Sequence, residues 1–364
     1  MQESSRRLRL GCFDTAIFTH AIHAIILEVM PQARIRQRRI QIAFCVLLLT
    51  PLRPDAPKLV AAYGPSSSTP QWRVDHHMHL ASPELCRLVG ECLQSNNPPA
   101  VFAADAVRAL DDAHVSKGVI LSCAYLFGLP SLHVKSGDLA EMTRRENEFT
   151  AAQVAQYPSR LIGFLSVDPL VESAIDEIRY WRASQQLIGL KLHFTASAVD
   201  VRSAKQRRQV ARVISVAAAQ GLPMVIHVGG GNFNAADAEL FIREILPSAG
   251  SSWVQIAHAG GGMPRRDGNN VAVLRTFANH IVRRDPLTRR VLFDLSYVPA
   301  PDETPDTTAA LLEQMRRIGM KRFLFGSDFN VLTPLEQMRG IDRLALTRNE
   351  LQTLRQNCAP WACP

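Results

Sequence analysis

Leu187-Ile-Gly-Leu-Lys-Leu192, Pro223-Met-Val-Ile-His227 and Trp253-Val-Gln-Ile-Ala-His258 are three short apolar runs, each carrying near its end a residue that can ligate or titrate. Their apolar character is continuous rather than alternating. That marks strands buried on both faces, as in a parallel sheet. A longer helical pattern, Ser203–Gln220, lies between two of them. Working outward, the same unit recurs. Arg73-Val-Asp75, Gly118-Val-Ile-Leu-Ser122, Leu161-Ile-Gly-Phe-Leu-Ser-Val167, Val291-Leu-Phe-Asp-Leu295 and Arg322-Phe-Leu-Phe-Gly326 bring the runs to eight, with Asp138–Gln156, Ser173–Ser184 and Thr307–Ile318 among the intervening helices. Eight strand-plus-helix units in about 290 residues are the arithmetic of an α/β fold, the (β/α)8 TIM barrel. The rival, an open doubly wound sheet, usually carries a glycine-rich first turn for a nucleotide. No G-x-G-x-x-G follows the first run here.

The polar residues at the strand ends are His77 and His79, Ser122, Lys191, His227, His258, Asp294 and Asp328; from Lys191 onward the gaps are 36, 31, 36 and 34 residues. Regular spacing puts them at equivalent points, the carboxyl ends of successive strands, where active sites of this fold sit. His77 and His79 lie in the string Asp75-His-His-Met-His79. On a strand, residues i and i+2 point to one side, so both imidazoles reach the barrel mouth together, with Asp75 ahead of them on the same face. With His227 and Asp328 they form a nitrogen and oxygen donor set that suits one divalent cation, Zn2+ first and Fe2+ or Mn2+ next. Three or four protein ligands leave a position for water, which distinguishes a catalytic from a structural zinc. His114, His133, His193 and His280 are read as satisfied core histidines.

The pattern Asp75-x-His77-x-His79, Gly189-Leu-Lys191-Leu-His193, Pro223-Met-Val-Ile-His227, His258-Ala-Gly-Gly261 and Phe325-Gly-Ser-Asp328 resembles the amidohydrolase superfamily. Within it, the pattern is most similar to the amidohydrolase 2 branch of metal-dependent hydrolases and decarboxylases. Tyr157-Pro-Ser-Arg-Leu-Ile-Gly163 also fits that branch, and the resemblance spans about residues 72–360. It implies metal ligation by His77, His79, His227 and Asp328. It also implies a catalytic His258 that polarises substrate and moves protons. Lys191 stands where binuclear relatives use a carbamylated lysine to bridge two metals; in a mononuclear site it is an ammonium that binds substrate carboxylate or a nearby acid. Asp294 is expected to shape the site or to be structural. The chain departs from the branch in the extension ahead of Trp72 and in the closing Asn357-Cys-Ala359.

The leading expectation is a metal-dependent hydrolase acting on the ester, lactone or amide carbonyl of a small, carboxylated substrate. The metal acidifies a water, Asp328 takes its proton, and His258 steadies the oxyanion or protonates the leaving group. The alternative is a non-oxidative decarboxylase, a carboxy-lyase for an aromatic or enol carboxylate, using the same metal site. A barrel nuclease is disfavoured because Lys191 stands where such enzymes generally place a Glu. A non-catalytic relative is disfavoured because every expected ligand is present.

Composition narrows the remaining classes. The 364 residues are 47% apolar and 20% charged, the balance of a globular chain. Net charge is +8, of which residues 1–58 contribute +5 from nine Lys or Arg and four acids. The excess is therefore an addressing feature, and no nucleic-acid partner is expected. Arg34-Ile-Arg-Gln-Arg-Arg39 precedes an apolar run, Ile40–Leu52, of 13 residues. That run is short of the roughly 20 needed to span a bilayer, so no membrane span is expected. The layout is that of a secretory signal. The chain is expected to divide into an extension, residues 1–70, with a signal-like segment at 30–62 and a linker, and a barrel over residues 71–364. Translation beginning at Met30 would make the protein exported, and periplasmic; otherwise it is cytoplasmic. The seven cysteines form no CxxC pair and read as buried apolar residues, with Cys358 and Cys363 able to pair only after export. A homodimer is expected from the habit of such barrels.

Overall fold

The computed structural model describes residues 72–93, 98–229, 233–261 and 269–363. The signal-like segment at 30–62, Met30 and the linker lie outside the described residues. Eight parallel strands follow one another round a single sheet in chain order. They are β1 (Trp72–Met78), β2 (Val115–Leu121), β3 (Leu161–Ser166), β4 (Gly189–His193), β5 (Met224–His227), β6 (Val254–Ile256), β7 (Val291–Asp294) and β8 (Phe323–Leu324). Hydrogen bonds from His76 N to Phe325 O (2.9 Å) and from Asp328 N to His77 O (2.8 Å) carry the last strand back onto the first. A single TIM barrel thus replaces the open-sheet alternative.

Ten helices among the described residues pack outside the strands or beyond their ends: α1 (Pro83–Leu93), α2 (Ala103–Asp112), α3 (Leu139–Val154), α4 (Ala174–Ser184), α5 (Ala204–Ala219), α6 (Ala235–Leu240), α7 (Asn269–Val282), α8 (Pro305–Ile318), α9 (Pro334–Asp342) and α10 (Arg348–Gln356). Their starts follow capping chemistry. Ser203 and Thr304 accept backbone N–H bonds, and Thr333 and Thr347 form reciprocal boxes with Glu336 and Glu350. None of these helices is long and apolar enough to cross a membrane.

The apolar runs are continuous because each strand buries both faces. One face meets the helices through side chains such as Leu165, Leu190, Ile226 and Phe293. The other fills the barrel floor with Val74, Val119, Leu121, Phe164 and Val225, and the C-terminal tail closes that floor with Trp361 and Ala362. Gly189 makes room for the Phe164 ring, since a Cβ there would come within 2.1 Å of it. A disulfide joins Cys358 and Cys363 within this tail, a pairing that spacing alone left open. His76, pointing opposite to His77, is the tail's latch: its Nδ1–H donates to Phe325 O (3.0 Å) and its Nε2 accepts from Ala359 N (3.1 Å). Burial lowers its pKa to about 4, so the latch is neutral.

Candidate metal centre

His77 and His79 project from the end of β1 as the two-residue spacing predicts, and their Nε2 atoms lie 3.2 Å apart. Each ring is set by its other nitrogen. His77 Nδ1 faces the Asp294 carboxylate at 3.1 Å, and His79 Nδ1 faces Leu121 O at 2.8 Å. Both partners accept, so both rings carry their proton on Nδ1 and turn an Nε2 lone pair toward the same point. Burial, helped by Lys191, lowers His77 to about 4; burial, with His77 and Lys191, drives His79 well below the ordinary value. Two neutral imidazoles with converging lone pairs repel unless a cation lies between them.

Asp328 Oδ1 completes the triangle, 3.4 Å from His77 Nε2 and 3.6 Å from His79 Nε2. Donors at bond lengths near 2.0–2.1 Å on a tetrahedral cation stand about 3.3 Å apart. These three atoms therefore fit a divalent cation, and they form one of two ligand-type groupings among the described residues. The other joins His77, His258 and Asp294. Its Asp294 is already saturated: Oδ2 accepts from His77 Nδ1 and Gln255 Nε2 (2.5 Å), while Oδ1 accepts from His258 N (3.0 Å), Ser296 N (3.2 Å) and the Ser296 hydroxyl. Burial would raise the Asp294 carboxyl, but the charge and hydrogen bond of His77, the charge of His258 and the hydrogen bond of Ser296 outweigh it and hold it well below the usual carboxylate range. Asp294 thus orients the histidines from behind, the arrangement that raises imidazole basicity at metal sites. Asp294→Asn, which puts an N–H2 against donors already aimed at the carboxylate, is expected to weaken metal affinity about 10–100-fold with the fold intact; metal titration of the apo protein checks this.

The remaining expected residues close the ring. Lys191 Nζ lies 3.2 Å from His77 Nε2 in full burial, which lowers its pKa to about 8 against the pull of Asp294 and Asp328. The His258 ring lies tilted against His77, centroids 4.8 Å apart, and donates Nδ1–H to Ser296 O (2.9 Å). His227 stands one ring further round, its centroid 4.7 Å from His258 and 3.9 Å from His193. It is next to the three-atom triangle without being part of it. His258, Ala259, Tyr297 and Asp328 all have positive φ, 50–65°. Left-handed backbone at four non-glycine residues costs roughly 1 kcal/mol or more each, and such strain collects at functional sites. Just past β5 and β6, a Cβ on Gly229 would meet Gly261 O at 2.1 Å, so the backbones of these two glycines are in contact.

Other residues singled out in the sequence take defined places in the structure. Asp75 shares the barrel side of its neighbours but is no ligand: Oδ1 accepts from His77 N (3.1 Å) and Ser327 N (3.0 Å), tying β1 to the loop after β8. Ser122 only caps its own turn, accepting from Ala124 N. His193, read as a core histidine, is a wall of the site, stacked on Tyr125 at 4.7 Å and packed on His227. His280 is the satisfied buried histidine expected, lying between Asp285 (2.7 Å) and Glu239 (2.8 Å), whereas His114 and His133, read the same way, are exposed. Gln255, missed in the sequence, had one signal: a polar residue inside an apolar strand.

Just past His79, Ser82 N donates to Glu146 Oε1 (3.3 Å) and the Ser82 hydroxyl bonds its other oxygen. Burial raises the Glu146 carboxyl to about 7, against hydrogen bonds from Ser82 that lower it. The folded state therefore keeps this proton between pH 4.5 and 7, where the unfolded chain has released it. Stability from this group falls as pH rises through that window and is level above it. Glu146→Gln keeps the shape without the charge. Its stability relative to the unaltered protein is expected to grow by on the order of 3 kcal/mol between pH 4 and 8. Urea unfolding at both pH values checks it, and parallel pH curves for the two proteins contradict it.

The chain matches the amidohydrolase family model over residues 74–355. No curated protein sequence matches it. Among solved structures, it is similar to 5-carboxyvanillate decarboxylase from Sphingomonas paucimobilis at 13% identity and a TM-score of 0.57, covering 79% of this chain and 97% of that one. It is similar to an amidohydrolase from Burkholderia multivorans with bound zinc at 15% identity and a TM-score of 0.54, covering 78% and 96%. A dihydroxybenzoic acid decarboxylase from Polaromonas sp. JS666, with bound manganese and the inhibitor 2-nitroresorcinol, is similar at 15% identity and a TM-score of 0.53, covering 78% and 94%. At these identities the structures share the barrel, while the family match spans most of the sequence: this chain belongs to the amidohydrolase family of enzymes.

Proposed function

We propose that the protein is a divalent-cation-dependent carboxy-lyase that removes CO2 from an aromatic or enol carboxylate. His77, His79, His227 and Asp328 hold one cation per chain, and the nitrogen-rich set suits Zn2+ best, with Mn2+ next. A cation held there would supply Lewis acidity toward a substrate carboxylate and its neighbouring hydroxyl. The observation that carries the reading is the buried Lys191 ammonium beside the ligand atoms. A dication and an ammonium set against Asp294 and Asp328 leave one positive charge in excess in a buried mouth. An anionic substrate compensates it, and a carboxylate on Lys191 is the economical choice. The decarboxylases with the same barrel support this preference over hydrolysis.

His258 then does the proton work. Its Nδ1–H is held by Ser296 O, so Nε2 faces the site as the base. Nε2 takes up a proton from solvent before substrate fills the mouth and passes it to the carbon that bore the carboxylate as the C–C bond breaks; the pair of the broken bond forms the new C–H bond and CO2 leaves. Deep burial of the site keeps water from competing for the proton. Hydrolysis of a carboxylated ester or lactone is the second reading. It is favoured by Asp328, whose single oxygen beside both imidazoles leaves the other to receive a proton. A panel of hydroxybenzoates, lactones and esters separates the two. Release of CO2 with uptake of solvent deuterium at the vacated carbon is expected. Acid release from lactones or esters, with no CO2 from any carboxylate, sinks the lyase.

A further inference from the structure

We infer that His193 is the hydrogen-bond donor that receives a substrate oxyanion, because its ring is protonated on the opposite nitrogen from those of His77, His79 and His258. The backbone N–H of Ala196 points at His193 Nδ1 from 3.1 Å. A backbone amide can only donate, so Nδ1 is the acceptor and the neutral ring carries its proton on Nε2. Three other rings of the mouth are reversed. Nδ1 of His77 faces the Asp294 carboxylate, that of His79 faces Leu121 O and that of His258 faces Ser296 O. Those three offer lone pairs at Nε2, fit for a cation or a proton; His193 offers N–H, fit for an anion.

The local fold holds this inversion in place. After β4 the chain turns back on itself, with Ser197 N bonded to His193 O (3.0 Å) and Phe194 N to His227 O (3.0 Å), which brings the Ala196 amide over the ring. Tyr125 stacks on one face at 29° and His227 packs 3.9 Å away. Side chains two apart on a strand share a side, so His193 opens on the same mouth as Lys191. The mouth thereby has a lone-pair half, His77, His79 and His258, and a donor half, Lys191 and His193. The ligand class is an organic anion with two oxygen-bearing groups, one for each half. This rests on the carboxylate-substrate reading, but the tautomer itself does not.

Two variants test it. Asn at 193 keeps an oxygen for the Ala196 amide and loses the far donor; Gln places an amide N–H2 near the Nε2 position. The probe is 2-hydroxybenzoate, titrated by calorimetry into metal-replete protein, with metal content measured in each case. His193→Asn is expected to keep its metal and weaken probe binding at least about tenfold, and His193→Gln to recover most of it. Unchanged binding in the Asn variant overturns the assignment. Independently, long-range 1H–15N spectra of histidine-labelled protein are expected to show one ring protonated on Nε2 whose signals vanish in His193→Gln. A vanishing signal of the Nδ1–H type overturns it. Failure of the unaltered protein to bind 2-hydroxybenzoate counts against the hydroxyaromatic substrate class, and the spectrum then judges the donor by itself.

Discussion

Replacing His77 by alanine is expected to abolish stoichiometric metal binding and to lower turnover about 10³-fold or more. The reasoning starts from the lone pairs. His77 Nε2 is the one atom common to the contacts with His79, Lys191 and Asp328. Without it the triangle loses a vertex, and the two atoms left, 3.6 Å apart, hold a dication too weakly against water even with His227 beside them. The cation supplies several kcal/mol of charge stabilisation, which converts to at least three decades in rate. The substitution also strips Asp294 of one buried donor, at a cost of about 1–3 kcal/mol in stability. Metal content and thermal unfolding are therefore measured together. A folded variant that keeps one metal per chain contradicts the ligand assignment.

Alanine at His258 is expected to give the complementary result: metal retained, turnover reduced about 10²–10⁴-fold, the range lost with a general acid or base. His258 is bound to Ser296 O through Nδ1 and lies beside His77 rather than among the triangle's ligand atoms. Its removal leaves the Asp294 contact with the residue-258 backbone amide in place, since that bond does not use the ring. Loss of metal in this variant would favour the other grouping, His77, His258 and Asp294. Full turnover would remove His258 from the proton path.

Much of this was readable from one chain because the fold advertises itself locally. Continuous apolar runs such as Met224–His227 need both faces buried, and their regular recurrence closes a barrel. The helix expected at Ser203–Gln220 is found at Ala204–Ala219 with Ser203 as its cap. The i, i+2 histidines follow from strand geometry alone. What was not readable depends on contacts between distant strands. Asp294 takes its meaning from Gln255 and from His77, which is 217 residues away in sequence. His193 looked like any buried ring, because nothing local shows which nitrogen its own following turn will meet. Asp75 sits beside two site histidines yet spends one oxygen on the backbone amides of His77 on its own strand and of Ser327 across the barrel seam.

The most direct test of the single-cation site is an anomalous-difference map from crystals of the metal-replete protein. One peak is expected per chain, about 2.0–2.2 Å from Nε2 of His77 and His79 and from an Asp328 oxygen, with His227 as the further nitrogen ligand. Two peaks bridged by Lys191, or a single peak against Asp294 and His258 instead, would contradict it.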